Sequence, residues 1–114
     1  MSINRTILSG NLCADPEVRA TSTGTPVMSF TLAVNGSTRN ADGEFEDRAD
    51  FIRCTIFGNR ASGLSEILEK GSKVCVEGHL RYSAWEKDGE RRSSVEVIVD
   101  DLELMSRRRD ADGE

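Results

Sequence analysis

The sequence predicts an all-β domain, a five-stranded Greek-key barrel with one helix between its third and fourth strands and with long hairpin loops. Three observations predict this class. Several segments alternate apolar and polar residues with the period of two that is typical of β-strands. Between the third and fourth of these segments, apolar residues recur instead at helical spacing. Turns that contain glycine, proline or aspartate separate the segments.

The first half of the chain holds two predicted barrel strands. Residues 3–12 form the first, with a bend near Gly10, because glycine weakens a strand interior. A proline turn follows, residues 18–20 are compatible with a short strand, and residues 27–34 form the second barrel strand. Residues 35–48 are polar and have turn residues near their middle, so they are predicted to be a long, mobile hairpin loop.

The third strand, residues 50–57, has two chemically different faces. The first face is apolar and is predicted to face the core; it consists of Ile52, Cys54 and Ile56. The second face combines two rings with a cation and a hydroxyl; it consists of Phe51, Arg53, Thr55 and Phe57. Unstacked nucleic-acid bases bind surfaces of the second kind, with rings against the base planes and a guanidinium for stacking or for phosphate. A central strand buried on both faces, with Arg53 at its rim, is the alternative that this strand alone leaves open.

The helix and the last two strands follow. Residues 59–70 form the predicted helix, with Asn59 as its N-cap. Residues 73–85 form the fourth strand, whose inward positions include Leu80 and Tyr82. The chain then turns at an Asp-Gly pair and returns over residues 93–104, with a bulge at the two consecutive aspartates of that strand.

Three strands, a helix and a hairpin is the order of the OB-fold, which binds oligonucleotides across its second and third strands and with its long loops. In this chain those strands are residues 27–34 and 50–57. The face with two rings and a cation therefore falls where that fold holds its ligand, which favours a binding surface over a doubly buried strand.

Charge and composition limit the possible functions. The net charge is −5, but residues 1–95 carry 12 basic and 13 acidic groups, so most of the acid excess lies in residues 96–114. A nearly neutral body permits a local patch that binds a polyanion and predicts modest affinity. The three cysteines are widely spaced, which predicts reduced thiols in a cytoplasmic protein. No signal peptide, membrane span, metal motif, cofactor motif or catalytic motif is present, so we predict neither an enzyme nor a membrane partner.

Several short motifs occur in a specific order and spacing: Asn4, Gly10, Asp15-Pro16-Glu17-Val18-Arg19, Gly24, Val27, Phe30-Thr31-Leu32-Ala33, Ile56-Phe57-Gly58, Ala61, Leu68-Glu69-Lys70-Gly71-Ser72, Val76-Glu77-Gly78 and Trp85 ahead of Asp88-Gly89. Through them the chain resembles the bacterial single-stranded DNA-binding protein family over about residues 1–104. The resemblance implies a protein that coats single-stranded DNA in replication, recombination and repair, without catalysis. It also implies self-association, as a homotetramer or a dimer.

The resemblance also implies a set of DNA-binding residues. Phe51, Phe57 and Trp85 match positions that stack on bases. Four basic residues match family positions that lie near phosphates: Arg5, Arg53, Lys70 and Arg81. Two further candidate arginines lie on the long hairpin, Arg39 and Arg48. The alternatives are ordinary ones, a core position for the single tryptophan and solvated surface charge for the cations.

The sequence departs from the family pattern at three places. Thr38 stands where many members have a stacking tryptophan, and Ile52 stands where well-studied members have a histidine at a subunit contact. Residues 106–114 are charged and lack the usual acidic tip that ends in Pro-Phe, so we expect a disordered tail after a domain of residues 1–105. Recruitment of replication and repair proteins is therefore left open. The second hypothesis is an accessory subunit that binds DNA weakly and acts through hetero-oligomers.

Overall fold

The computed structural model describes residues 2–105, which contain six strands and one helix. The strands are β1 (Thr6–Leu12), β2 (Glu17–Ala20), β3 (Pro26–Arg39), β4 (Phe45–Phe57), β5 (Lys73–Lys87) and β6 (Glu90–Leu104). The helix, α1 (Asn59–Ile67), lies between β4 and β5. The tail predicted at 106–114 lies outside the described residues.

Five of the strands close into a barrel. Their order is β1-β5-β6-β4-β3, and β1 returns to β3 through the pairs Asn11↔Ala33 and Leu12↔Leu32. Neighbouring strands are antiparallel except β4 and β6, which pair in parallel at Cys54↔Val97 and Thr55↔Ile98. The short strand β2 pairs with the outer edge of β3. The predicted five-stranded barrel, with its helix between the third and fourth barrel strands, is confirmed.

Two glycines allow strands to pass close to each other. A Cβ atom on Gly10 would lie 2.3 Å from the carbonyl oxygen of Ala33, where β1 leaves β5 and joins β3. A Cβ atom on Gly78 would lie 2.0 Å from the carbonyl oxygen of Ile98. A side chain at either position would push backbone against backbone, so the barrel closes at these points only with glycine.

The core lies inside the barrel, on the inward faces of all five barrel strands. Its largest fully buried side chains are Met28, Leu32, Ile56, Val74, Val76, Val97 and Cys54. Ala61 of α1 and Leu68, just after the helix, are buried in the same cluster. Together with the strand alternation, this core fixes which side chains of β4, β5 and β6 face outward.

The prediction of a long loop over residues 35–48 is wrong. β3 and β4 stay paired without a register shift as far as Arg39↔Phe45, so most of this segment is a two-stranded ribbon. Asn40 stabilises the turn, because its side-chain oxygen accepts hydrogen bonds from the amides of Asp42 and Glu44, each at 2.9 Å. The hydrogen bonds between paired strands are made by backbone groups and need no apolar side chains, which is why a polar sequence forms strands here.

Two predictions about the end of β5 have different outcomes. The bulge in the last strand is confirmed, since Glu77 pairs with Asp101 and Gly78 with Val99, which leaves Asp100 between them. The inward burial of Leu80 and Tyr82 is wrong, because the β5–β6 hairpin continues beyond the barrel and both side chains are exposed.

The helix is shorter than predicted. It ends at Ile67, and Leu68 is already extended. The residue that precedes the helix is Gly58, whose φ of 98° favours glycine, so Asn59 is not the N-cap.

Within residues 2–105, no helix has the length and apolar character to span a membrane.

Candidate nucleic-acid interface

The outward side of β4 presents aromatic rings to solvent. Phe51 is 67% exposed and Phe57 is 41% exposed, while Cys54 and Ile56 on the other side are buried in the core. Arg53 is also exposed. The prediction that two phenyl rings and a guanidinium face outward is therefore confirmed, and the doubly buried strand is excluded. We call Phe51, Arg53, Thr55 and Phe57 the β4 outer face.

Thr55 differs from its neighbours on this face, because it is only 3% exposed. Its hydroxyl donates a 2.6 Å hydrogen bond to the carboxylate of Glu96 on β6. The parallel pairing of β4 and β6 brings the two residues together. The same carboxylate accepts a hydrogen bond of 3.1 Å from the guanidinium of Arg81 on β5. A polar network thus joins three strands under the rings.

The network changes the acidity of Glu96. Partial burial alone would raise the pKa of its carboxyl group, since burial disfavours the charged form. The hydrogen bonds from Thr55 and Arg81, together with the charges of Arg81 and Arg53, outweigh burial and lower the pKa below its ordinary value. Glu96 is therefore a stable anion that holds cations on this side of the sheet.

Arg81 is positioned by two contacts. Besides its ion pair with Glu96, its guanidinium carbon lies 5.5 Å from the centre of the Phe57 ring, which is cation–π geometry. Trp85 lies on the same side of β5, four residues further along. It is 44% exposed, so the alternative of a core tryptophan is wrong. The β4 outer face and the outer side of β5 therefore form one surface.

A shallow cavity of about 330 Å³ opens beside Phe51 and Arg53. Its far wall includes Cys13 and Asp15 from the segment between β1 and β2. The backbone amide of Lys70 donates a 2.8 Å hydrogen bond to the Asp15 carboxylate, which places Lys70 near the rim of this cavity. The cavity is apolar and cationic on one side and acidic on the other.

Three of the predicted cations lie elsewhere. Arg5 precedes β1 and forms an ion pair with Glu77 on β5. Arg39 lies near the end of the ribbon, with its guanidinium carbon 5.1 Å from the centre of the Phe45 ring. Arg48 pairs with Asp50 at 3.0 Å.

Sequence reasoning missed Phe45 and Glu96. Phe45 continues the alternation of Phe51 and Phe57, but residues 35–48 were predicted to be a loop and the alternation was not extended to them. Glu96 had no local signal, because its partner Thr55 is 41 residues away along the chain. Within residues 2–105, no three His, Cys, Asp or Glu side chains are arranged to hold a metal ion.

Comparisons with known proteins agree with this geometry. The model of the single-strand binding protein family matches residues 3–105. Single-stranded DNA-binding protein 1 of Staphylococcus aureus (strain Mu50) is 45% identical over 104 residues, which are 90% of this chain and 65% of that protein. The single-stranded DNA-binding protein of Aquifex aeolicus is 34% identical over 110 residues, 96% of this chain and 75% of that protein. The chain thus spans just under two-thirds of the length of the staphylococcal relative.

Two solved structures are similar to this fold. A deletion mutant of the single-stranded DNA-binding protein from Thermus aquaticus superposes with a TM-score of 0.81 at 32% identity, covering 93% of this chain and 52% of that one. A Plasmodium falciparum SSB in complex with single-stranded DNA superposes with a TM-score of 0.84 at 25% identity, covering 93% and 97% of the two chains. By the family match and the curated relatives, this chain belongs to the single-strand binding protein family.

Proposed function

We propose that the protein binds single-stranded DNA without sequence specificity, by stacking bases on its outward aromatic rings and by holding phosphates with neighbouring arginine and lysine side chains. The observation that carries the proposal is the exposure of Phe51 and Phe57 on one strand face, beside Arg53. Proteins similar to this chain are named for single-stranded DNA binding, and one similar structure contains single-stranded DNA.

The surface suits a flexible strand and does not suit sequence reading. Every base has a π-face, so stacking on a ring is tolerant of sequence and contributes about 1–3 kcal/mol per base. Phe51, Phe57 and Trp85 offer three such rings. Arg53, Arg81 and Lys70 stand close enough to the same surface to meet a phosphate chain that passes over it. No bond is made or broken in this function, so we propose a non-catalytic protein.

The cellular role and the assembly state follow as part of the proposal. A protein of this kind protects single strands in the cytoplasm during replication, recombination and repair. We propose that it self-associates as a homotetramer, with a dimer as the simpler possibility. The first half of β1 supports self-association: Thr6 to Gly10 pair with β5 on one edge, and within the described residues their other edge has no partner strand. Exposed strand edges are templates for pairing with another chain.

The single tryptophan provides a direct test. Titration with oligo-dT should quench the fluorescence of Trp85, because a stacked base quenches an indole. The affinity should fall with salt, with a log–log slope of about −0.7 per phosphate neutralised. Unchanged emission at saturating oligo-dT, with a Trp85→Phe variant that binds as well as the parent, would show that Trp85 is not a stacking ring. A flat salt response would contradict the role of the cations.

One observation favours the second candidate function, an accessory subunit that binds DNA weakly. Many of the cations are already paired with carboxylates: Arg5 with Glu77, Arg48 with Asp50, Arg81 with Glu96, and Arg92 with Glu90. Each pair reduces the charge available to phosphate. Mixing the protein with a full-length member of the family and measuring the mass of the complexes separates the two functions. Hetero-oligomers together with weak DNA binding by the protein alone would support the accessory role, and a tight homotypic complex with DNA would exclude it.

A further inference from the structure

The β3–β4 ribbon carries an exposed aromatic ring near its end. Phe45 is 71% exposed, more than either Phe51 or Phe57, and it begins β4 next to the turn at residues 40–44. Burying a phenyl ring is favourable, so a ring left in water at a defined place is a candidate contact site. We propose that Phe45 is a further stacking site for a base of single-stranded DNA, with Arg39 beside it for the adjacent phosphate. This inference rests on the function proposed above.

The strand register places Phe45 on the same face as the other two rings. β3 and β4 pair without a shift from Val27↔Phe57 to Arg39↔Phe45. Side chains alternate strictly along such a strand, so positions 45, 51 and 57 share one face. Phe45 is six residues from Phe51, or about 20 Å along the strand. The aromatic face of β4 therefore continues from the barrel onto the ribbon.

Arg39 gives Phe45 the same kind of partner that Arg81 gives Phe57. The guanidinium carbon lies 5.1 Å from the centre of the Phe45 ring, against 5.5 Å for Arg81 and Phe57. The Nε atom of Arg39 also donates a 3.3 Å hydrogen bond to the carbonyl oxygen of Gly43, which fixes the side chain at the turn. Phe45 and Phe57, at the two ends of β4, thus each have a cation over the ring. A ring and a cation together are the combination that binds a base and its phosphate.

Most of the acidic residues of strand β4 in the ribbon lie on the face opposite to this ring. On the face that carries Phe45, the strand from 45 to 51 holds one carboxylate, Asp47. Glu46 and Asp50 lie on the opposite face together with Arg48. A phosphate chain that reaches Phe45 therefore meets the less acidic side of the ribbon. This distribution of carboxylates between the two faces favours nucleic acid over a cationic partner at the Phe45 ring.

A tryptophan placed at position 45 tests the proposal directly. In a Phe45→Trp variant made in the Trp85→Phe background, the introduced indole is the only one in the chain. Oligo-dT long enough to pass the ribbon should quench its emission, and a short oligo-dT that already quenches Trp85 in the parent should not. Separately, Phe45→Leu should weaken binding of long oligo-dT about fivefold or more and leave binding of the short one unchanged.

The matched control is Tyr82→Leu, which removes another exposed ring. Tyr82 is 62% exposed and lies on the side of β5 opposite to Arg81 and Trp85. This variant should bind both oligonucleotides like the parent. Equal binding by Phe45→Leu, with unquenched emission from the indole at position 45, would overturn the inference while quenching of Trp85 in the parent still supported the proposed function. A change in oligomer mass without a change in DNA affinity would show a protein contact and would also overturn it. If the parent itself bound no DNA, the proposed function would fail and this inference with it.

Discussion

The hydroxyl of Thr55 donates a 2.6 Å hydrogen bond to the carboxylate of Glu96, and this bond joins β4 to β6 on the outside of the barrel. Its position explains why Thr55 is buried although its neighbours on both sides along the same face are exposed. Because Glu96 also holds Arg81, and Arg81 covers Phe57, one hydrogen bond fixes the geometry of a cation and a ring at the proposed DNA surface. The network is therefore both a structural element and part of the site.

Replacing the hydroxyl of Thr55 should destabilise the protein. Thr55→Val keeps the shape of the side chain and removes the donor to a charged acceptor, so we expect a loss of about 2 kcal/mol in the free energy of unfolding. The matched control is Ser29→Ala. Ser29 pairs with Thr55 across β3 and β4 and is buried, but its hydroxyl has no partner among the described residues, so its removal should cost less than about 0.5 kcal/mol. Chemical denaturation of both variants measures the difference, and equal losses would contradict the role of the bond.

The contribution of Glu96 should depend on pH. Its pKa is lower in the folded protein than its ordinary value of 4.5, so its carboxylate stabilises the fold above that value. This stabilisation is lost as the pH falls through the lower, folded pKa. Glu96→Gln should therefore be less stable than the parent at pH 7, and the difference should shrink below about pH 4.5. Urea denaturation of both proteins from pH 3 to pH 7 tests this, and a constant difference would show that the charge of Glu96 is irrelevant.

Phe51 should contribute to DNA binding and little to stability. Its ring is largely exposed, so Phe51→Leu removes a stacking surface without opening a cavity in the core. We expect oligo-dT binding to weaken by about 1–3 kcal/mol, with a free energy of unfolding close to that of the parent. Ile67→Ala, an exposed apolar residue at the end of α1, is the control and should bind like the parent. Unaltered binding by Phe51→Leu would remove this ring from the proposed site.

Cys54 should resist alkylation in the folded protein. Burial, with a smaller effect of the nearby Glu96 charge, raises the pKa of its thiol to about 12, so the reactive thiolate is scarce at pH 8. Cys13 and Cys75 are only partly buried and should react first with iodoacetamide. Mass spectrometry of peptides after timed alkylation measures the three rates. In denaturant the three should become similar, and fast labelling of Cys54 in the native protein would contradict its burial.

Gly78 should tolerate no side chain. In Gly78→Ala the new Cβ atom would lie 2.0 Å from the carbonyl oxygen of Ile98, so the backbone must shift, and we expect a loss of at least about 2 kcal/mol. Gly36 on the ribbon is the matched control, because a Cβ atom there meets nothing within 4 Å. Gly36→Ala should change the stability by less than about 0.5 kcal/mol. Thermal unfolding of both variants gives the comparison, and a native-like Gly78→Ala would show that β5 and β6 are less closely packed than the structure describes.

The sequence predicted the barrel and the β4 outer face because both depend on local alternation. In residues 50–57 each apolar inward residue has an outward neighbour of different character, and the structure follows that alternation. It did not predict how far the strands extend. The residues of the ribbon are polar, and Leu80 and Tyr82 have inward parity beyond the point where the barrel ends. Alternation along the sequence shows on which side of a strand each residue lies. Whether that side is buried depends on whether other strands pack against it.

The contacts that complete the site were beyond sequence reasoning for a related reason. Thr55 and Glu96 meet only because β4 and β6 run in parallel over two residue pairs, far apart along the chain. No local pattern reports such a pairing. Likewise, the contact between Arg81 and Phe57 joins β5 and β4, which do not pair with each other because β6 lies between them in the sheet. Resemblance to a family placed Arg81 near phosphates, but it gave no indication that a carboxylate holds it.

The barrel is joined at two narrow seams, β1 with β3 and β4 with β6, each of two residue pairs. The first group of strands, β2, β3 and β4, carries Phe51 and Phe57, whereas the second, β1, β5 and β6, carries Arg81 and Trp85. The surface that combines Phe57 with Arg81 exists only while both of these pairings are intact. A strand of nucleic acid that binds residues of both groups holds the two groups together. By mass action, its binding therefore lowers the fraction of molecules in which the barrel is open.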